Sequence, residues 1–385
     1  DWAKILDTYL DYLAFLVLLG SLFTVSGGIH ITGAFAGLPY INTLFLALGA
    51  ILSSFLGTTG ASMVLIRPLL RANQMRRHKA HVVVFFIFIV SNCGGLLTPL
   101  GDPPLYLGFL KGVPFWWTFF RLIPIWALTL LILLFIFHLI DDKIFDGEET
   151  HIRGSLIQII QEAQQPIHIE GWGNVYGLAG ILLTVMASGY WFNPWFESMT
   201  PHWGSALSRL LQIVIMLGIA VFSYKRTPAT IHEENQFGFG PIIEVAVLFF
   251  GIFGAMIPAL TLLEAKGQDI AITHPWAYFW LSGFLSSFLD NAPTYLSYAS
   301  LAAGQNGLST DHLGELAQHF PRILAAISCG SVFMGANSYI GNGPNFMVRA
   351  IAEQARVKMP SFGGYMLWSG AILIPVFILI TFIFF

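Results

Sequence analysis

The chain carries one arrangement twice. Ser53-Ser54-Phe55-Leu56 returns as Ser286-Ser287-Phe288-Leu289, and the same displacement of 233 residues carries Asp11, at the head of one apolar segment, onto Glu244, at the head of another. Gly95-x-x-Thr98-x-x-Gly101-Asp102-x-Pro104 is echoed by Gly335-x-x-Ser338-x-x-Gly341-Asn342-x-Pro344. Each half therefore presents, in one order, an acidic residue opening a helix, a Ser-Ser-Phe-Leu turn and an apolar helix interrupted by glycine and proline. With 56% hydrophobic and 10% charged residues, the chain cannot cover a globular surface with polar groups, so its solvent is mostly lipid.

Backbone groups in hydrocarbon must be bonded within their own segment, which makes the apolar stretches near 9–26, 82–98, 115–140, 172–192, 205–224, 241–263, 320–338 and 362–385 predicted helices. No signal-peptide pattern precedes them. Segments 40–56 and 61–73 are short and polar at their junction, and read as a re-entrant hairpin with its tip at Gly57-Thr58-Thr59-Gly60. The matching segment 275–303 has its tip at Asp290-Asn291-Ala292-Pro293-Thr294. Arg67, Arg71, Arg76, Arg77 and Lys79 fall in one predicted loop, which the retention of positive charge places in the cytoplasm. Threading from there puts 12 of the 18 Lys/Arg inside, and makes the two hairpins enter from opposite faces, as inverted repeats require. The expected layout is a first repeat over 1–140, a polar, amphipathic cytoplasmic linker over 141–171 and a second repeat over 172–385. The second half has two crossings, 172–192 and 205–224, ahead of its acidic-headed helix, whereas the first has none and starts at Asp1; N-terminal helices are therefore expected to be missing from this sequence.

Glycine and proline crowd into both interrupted helices, at Gly94, Gly95, Pro99, Gly101, Pro103 and Pro104, and at Gly335, Gly341, Gly343 and Pro344, so both should unwind near mid-membrane. A carboxylate inside a bilayer must be neutralised, paired or hydrated, and commonly marks an ion or proton pathway. Asp102 and Asp290 are the leading candidates, since a cation and a proton compete for such a group. Around them stand neutral oxygens suited to a hard monovalent cation: Asn92, Thr98, Asn291, Thr294, Asn337, Ser338, Asn342 and Asn345, with Thr58 and Thr59 at a hairpin tip. Asp102, Asp290, Asn92 and Asn337 are the expected Na⁺ ligands, and no cofactor beyond the transported ion is called for. Asp11 and Glu244 are either interfacial anchors stabilised by a helix N-terminus or members of a proton pathway. Arg121, Arg209 and Arg322 read as snorkelling anchors, the tryptophans at segment ends as an interfacial belt, the eleven histidines as solvated or interfacial side chains, and Cys93 and Cys329 as packing residues. A net charge of −3 and dispersed Lys/Arg exclude nucleic acid as a partner; the partner is the bilayer.

Four stretches carry a family resemblance: Gly57-Thr58-Thr59-Gly60-Ala61-Ser62; Ser91-Asn92-x-Gly94-Gly95-x-x-Thr98-Pro99-x-Gly101-Asp102-Pro103-Pro104-Leu105; Asp290-Asn291-Ala292-Pro293-Thr294; and Gly341-Asn342-Gly343-Pro344-Asn345. They resemble NhaD-type sodium/proton antiporters of the ion transporter superfamily, which also holds arsenite, citrate and divalent-anion carriers. The resemblance implies an all-α polytopic fold of two inverted repeats, scaffold and transport domains, elevator-like movement and a homodimer. The Ser-Asn-Thr pairs of the divalent-anion branch are replaced here by Ser-Asn-Cys and Ala-Asn-Ser. The expected function is Na⁺ (or Li⁺) exchange for H⁺ in a bacterial inner membrane. A sodium-coupled citrate or dicarboxylate symporter and an arsenite carrier stay open as alternatives. An intramembrane protease using the two Asp residues would leave the hairpins unexplained, so no enzyme is expected and no catalytic residue is assigned.

Overall fold

The structure, a computed structural model, describes residues 2–32, 36–150, 154, 168–200, 203–266, 272–310 and 312–385. Among them the helices run in order as α1 (Trp2–Gly27), α2 (Pro39–Leu56), α3 (Thr58–Ala72), α4 (Ala80–Ile89), α5 (Pro103–Leu110), α6 (Phe115–Asp146), α7 (Gly173–Ala187), α8 (Asn193–Met199), α9 (Gly204–Arg226), α10 (Ala229–Glu234), α11 (Gly240–Lys266), α12 (Pro275–Ser286), α13 (Asn291–Gln305), α14 (Leu313–His319), α15 (Pro321–Met334), α16 (Gly343–Gln354) and α17 (Phe362–Phe384). Among the described residues six spans are long and apolar enough to cross a membrane: Ile5–Gly27, Pro39–Leu56, Phe115–Asp146, Gly173–Met199, Gly204–Arg226 and Phe362–Phe384. Phe120, Leu131, Phe135 and Leu139 of α6 project outward, as lipid-facing side chains do. The chain is a mostly helical, multi-pass membrane protein.

Two helices sit in the middle and the rest are wrapped around them. In α4 every residue from Val82 to Ile89 is buried, and so is every residue of α15 from Leu324 to Met334. A helix apolar on all sides must be enclosed on all sides, which the sequence Val-Val-Val-Phe-Phe-Ile-Phe-Ile dictates for α4. Neither helix continues to full length. α4 gives way to a short 3₁₀ turn at Cys93–Leu96, and α15 to another at Gly335–Asn337; the chain becomes helical again at Pro103 and Gly343.

Beside each broken helix lies a helical hairpin. α2 and α3 are separated by Gly57 alone, at φ 78° and ψ 149°, a region that only glycine adopts without strain. The reversal is closed at the far end, where Asn42 near the start of α2 and Asn73 after α3 exchange hydrogen bonds of 3.0 and 2.8 Å. The second hairpin, α12 and α13, turns through Ser287 to Asp290 and is closed by Tyr278 hydroxyl donating to Gln305. Its turn thus precedes the predicted tip, and Asn291 to Thr294 form the first turn of α13. α2 meets the length of a span although its sequence reads as a hairpin arm, and it packs along α3.

The all-α expectation is met except for a ribbon too short to read from sequence. Strand β1 (His30–Thr32) pairs antiparallel with β2 (His168–Glu170), tying the end of α1 to the end of the linker. α6 runs on through Asp146, past the predicted linker boundary, and of the amphipathic linker expected over 141–171, residues 151–153 and 155–167 lie outside the described residues.

The basic residues predicted to share one cytoplasmic loop are divided between a helix and the segment after it. Arg67 and Arg71 lie on α3 itself, and Arg76 is buried with its guanidinium 2.6 Å from Asp141 of α6. Both side chains of that pair are fully enclosed. His81 Nε2 stands 2.7 Å from Asp141 Oδ1, and Asn42 donates to Oδ2 at 2.9 Å. Loss of one partner strands a charge in a low dielectric, so Asp141→Asn is expected to cost about 3–5 kcal/mol. The double change Arg76→Met with Asp141→Leu should recover most of that in equilibrium unfolding of the purified protein.

Candidate functional site

The two breaks and the two hairpin turns meet. Each break is braced by the hairpin beside it through the same contacts. Thr98 hydroxyl donates to Ser54 O, and Ser338 hydroxyl, 240 residues on, donates to Ser287 O. Each hydroxyl also accepts from the amide two residues further, Leu100 N and Ile340 N, both at 3.2 Å. Ser54 Oγ donates to Gly94 O and Ser287 Oγ to Met334 O. Within each break the backbone folds back on itself so tightly that a Cβ on Gly101 would stand 2.1 Å from Gly95 O, and one on Gly341 would stand 2.5 Å from Gly335 O. Glycine is therefore required at Gly101 and Gly341 by space rather than by dihedral angle.

At the crossing lies Asp102, 1% exposed. Three neutral donors hold its carboxylate. Thr58 Oγ1, from the tip of the first hairpin, donates to Oδ1 at 2.9 Å. Asn291 Nδ2, from the first turn of α13 just past the second hairpin's turn, donates to Oδ2 at 2.7 Å. Asn342 Nδ2, from the second break, reaches Oδ1 at 3.4 Å and is shared with Asn92 Oδ1 and Ser91 O at 3.1 Å each. Asn92 passes the contact on, donating to Asn345 Oδ1 at 2.7 Å, and Asn345 Nδ2 bonds the carbonyls of Gly335 and Ser338 at 2.9 Å. All four elements that meet here thus feed one network, and among the described residues no Lys or Arg side chain hydrogen-bonds Asp102.

The predicted set divides by role. Thr58, Asn291 and Asn342 touch Asp102 directly, and Asn92 touches it through Asn342. Thr98, Ser338 and Asn345 spend their polar groups on backbone carbonyls, so they shape the breaks. Thr294 hydroxyl bonds Asp290 O at 3.1 Å. Asn337 donates to Ser287 Oγ at 3.0 Å, and its buried Oδ1 has no partner, leaving a carbonyl oxygen free to take a cation. Thr59 is half-buried and makes none of these contacts. Asp290 is half-buried and caps α13, accepting from Ala292 N at 3.2 Å. It is joined to Asp102 through its neighbour Asn291. No group of three or more His, Cys, Asp and Glu among the described residues could hold a metal, so an ion here would rest on Asp102 and neutral oxygens. The donor set fits that: an asparagine offers a carbonyl oxygen as well as an amide, and a threonine hydroxyl accepts as well as donates.

Asp11 and Glu244 are not brought here. Asp11 sits in the third turn of α1 rather than at its head, 3.2 Å from Arg209 of α9, and Arg209 also pairs with Asp7. Arg209 is thereby an ion-pair partner, not a snorkelling anchor. Glu244 is exposed on α11. What the sequence reading left without a role is the serine pair of each hairpin. Ser286 Oγ lies 2.6 Å from both Asn291 Oδ1 and Ser331 O, its single hydroxyl proton divided between the two acceptors, and so it helps orient the amide that grips Asp102. Their repetition was the available signal.

A multi-pass membrane protein in which broken helices and hairpins converge on a buried carboxylate has the makings of a secondary transporter. The chain belongs to the CitMHS_2 family, described as "Putative citrate transport", whose match runs over residues 1–385. That places it in the citrate/ion transporter superfamily, the wider group of the motif resemblance, and in a family of transporters rather than enzymes. The match does not extend to the NhaD-type branch. Comparison with curated proteins returned no match.

The paired braces give a direct test. Thr98→Val and Ser338→Ala each remove one hydroxyl from a buried carbonyl of the neighbouring hairpin, and each is expected to cost about 1–3 kcal/mol. Thermal unfolding should show losses of similar size for the two; a loss confined to one would show the breaks to be built differently.

Proposed function

We propose that the protein is a secondary active transporter in which Na⁺ or Li⁺ and H⁺ compete for Asp102, giving cation/proton antiport. The observation that carries this reading is a buried carboxylate held by three neutral donors and, among the described residues, by no basic side chain. A carboxylate enclosed in this way is stable when it takes up either a proton or a cation, and the two are mutually exclusive. Each state moves the carboxylate across the membrane with its charge cancelled, whereas the bare carboxylate would have to cross uncompensated. Coupling then follows from the difference in ion affinity between the protonated and ionised states. Asp290, at the tip of the second hairpin, supplies the second carboxylate, and the carbonyl oxygens of Asn92 and Asn337 complete the ion's surroundings.

The reading includes two inverted repeats, 1–140 and 172–385, joined by 141–171. It is supported by the matched braces at Thr98 and Ser338 and by the repeated Ser-Ser-Phe-Leu turn. In it α2–α6 and α12–α17 form the moving transport unit, and α1, α7 and α9, which pack on one another, form the scaffold of an elevator, with α11 lying against both α1 and α13. A homodimer in a bacterial inner membrane is part of the same reading.

A second reading is cation-coupled citrate symport, which the family description favours. Here an ion at Asp102 would supply the positive charge that the four motifs lack. One preparation distinguishes the two. In proteoliposomes on a solid-supported membrane, external Na⁺ jumps at several pH values should give internal alkalinisation without citrate under the first reading, because each Na⁺ entering sends H⁺ out. Under the second, uptake of labelled citrate should depend on Na⁺. Asp102→Asn is expected to abolish either activity, and Asp290→Asn to reduce it at least tenfold. Wild-type rates in Asp102→Asn would remove the basis of both.

A further inference from the structure

α3 and α16 begin at Asp102 and end at a second place in the molecule. Thr58 opens α3 and Asn342 caps α16, and both donate to the Asp102 carboxylate. Their opposite ends line a cavity of about 390 Å³, to which α3 contributes Arg67 and Arg71, and α16 Gln354. Lys79 joins from the segment before α4, and Glu234 and Gln236 from α10 and the loop after it.

Three cations therefore face one carboxylate, and that carboxylate is turned elsewhere: Glu234 is 55% exposed and lies 3.3 Å from His30 Nε2. The cations have only uncharged acceptors. Arg71 donates to Ile31 O at 2.8 Å, Arg67 Nη2 to Gln236 Oε1 at 3.2 Å, and Lys79 to Gln74 O at 2.9 Å. Arg67 Nη1 is buried and has no hydrogen-bond partner. Burial holds the Lys79 ammonium below its ordinary range, with Glu148 pulling weakly the other way. The negative end of the α3 dipole accounts for a cation in its last turn, hence for Arg71. It does not account for a buried guanidinium nitrogen without an acceptor, since buried donors are almost always paired. An anion with several oxygens matches this lining. Guanidinium forks match phosphate geometry, and a lysine adds a point charge beside them.

We propose that this cavity binds a phosphate-type oxyanion, held by Arg67, Arg71 and Lys79 and bridging α3, α16 and the α10–α11 loop. Such an anion would fasten the far ends of the two helices that grip Asp102, which makes the cavity a point from which the ion site is influenced. The phosphate comes either from a soluble compound or from a lipid headgroup, and the test separates them.

The full chain is placed in nanodiscs of neutral phosphatidylcholine and titrated calorimetrically with inorganic pyrophosphate. In parallel, nanodiscs doped with phosphatidic acid are examined by native mass spectrometry for retained lipid. Binding of pyrophosphate identifies a soluble ligand class; retention of phosphatidic acid without pyrophosphate binding identifies a headgroup site. In either case Arg67→Gln with Arg71→Gln is expected to weaken binding at least tenfold, while Arg322→Gln, a cation outside the cavity, leaves it unchanged. Arg67→Lys with Arg71→Lys keeps charge and stem but loses the forks, and its expected three- to tenfold loss keeps the test readable should the Gln pair fail to fold. Absence of both ligands, or equal binding by parent and Gln pair, overturns the proposal.

Discussion

A helix broken inside a low-dielectric interior frees amides and carbonyls that lipid cannot satisfy, and this constraint orders the whole structure. The protein answers it with side chains from the hairpin beside each break. Thr98 and Ser338 close on Ser54 O and Ser287 O, the second serine of each repeated pair closes on Gly94 O and Met334 O, and Asn345 takes Gly335 O and Ser338 O. The hairpins cannot move without the breaks, nor the breaks without the hairpins. That rigidity fixes the position of the groups the same segments project inward.

Two buried carboxylates show two solutions to one problem. Asp141 lies against Arg76, His81 and Asn42, so its charge is matched permanently and its place is structural. Asp102 is equally enclosed but has only Thr58, Asn291 and Asn342. Neutral donors ease an ionised carboxylate without cancelling it, each contributing about 1.5–3 kcal/mol against a larger desolvation cost. Under the proposed function, the remainder is what a mobile positive charge would supply. A fixed arginine at Asp102 would have removed that capacity, as it does at Asp141.

Much of the site was legible because its grammar is local. Glycine and proline in an apolar run announce a break, and a carboxylate beside the break announces a charge in need of company. Which oxygens reach Asp102 was not legible. Thr58 and Thr59 are adjacent and chemically alike, yet only Thr58 faces the carboxylate; the choice is made by the angle at which α3 leaves Gly57. Likewise Asn291 and Thr294 share a helical turn, but Thr294 hydroxyl closes on Asp290 O while the Asn291 amide, steadied by Ser286, reaches across to the other half. Arg76 read only as one member of a cytoplasmic basic loop, because its partner Asp141 lies 65 residues away on another helix.

By itself the sequence determined that the chain lives in lipid as helices, that two of them must be broken, and that Asp102 sits at one break. These follow from hydropathy, from the missing donor of proline and from the freedom of glycine, all properties of a residue and its near neighbours. Tertiary structure alone decided that both breaks and both hairpin turns converge on Asp102, that Asp11 answers Arg209, and that Arg67 and Arg71 share a cavity with Lys79. Those outcomes depend on the packing angles of helices far apart in the chain, and no local pattern encodes an angle.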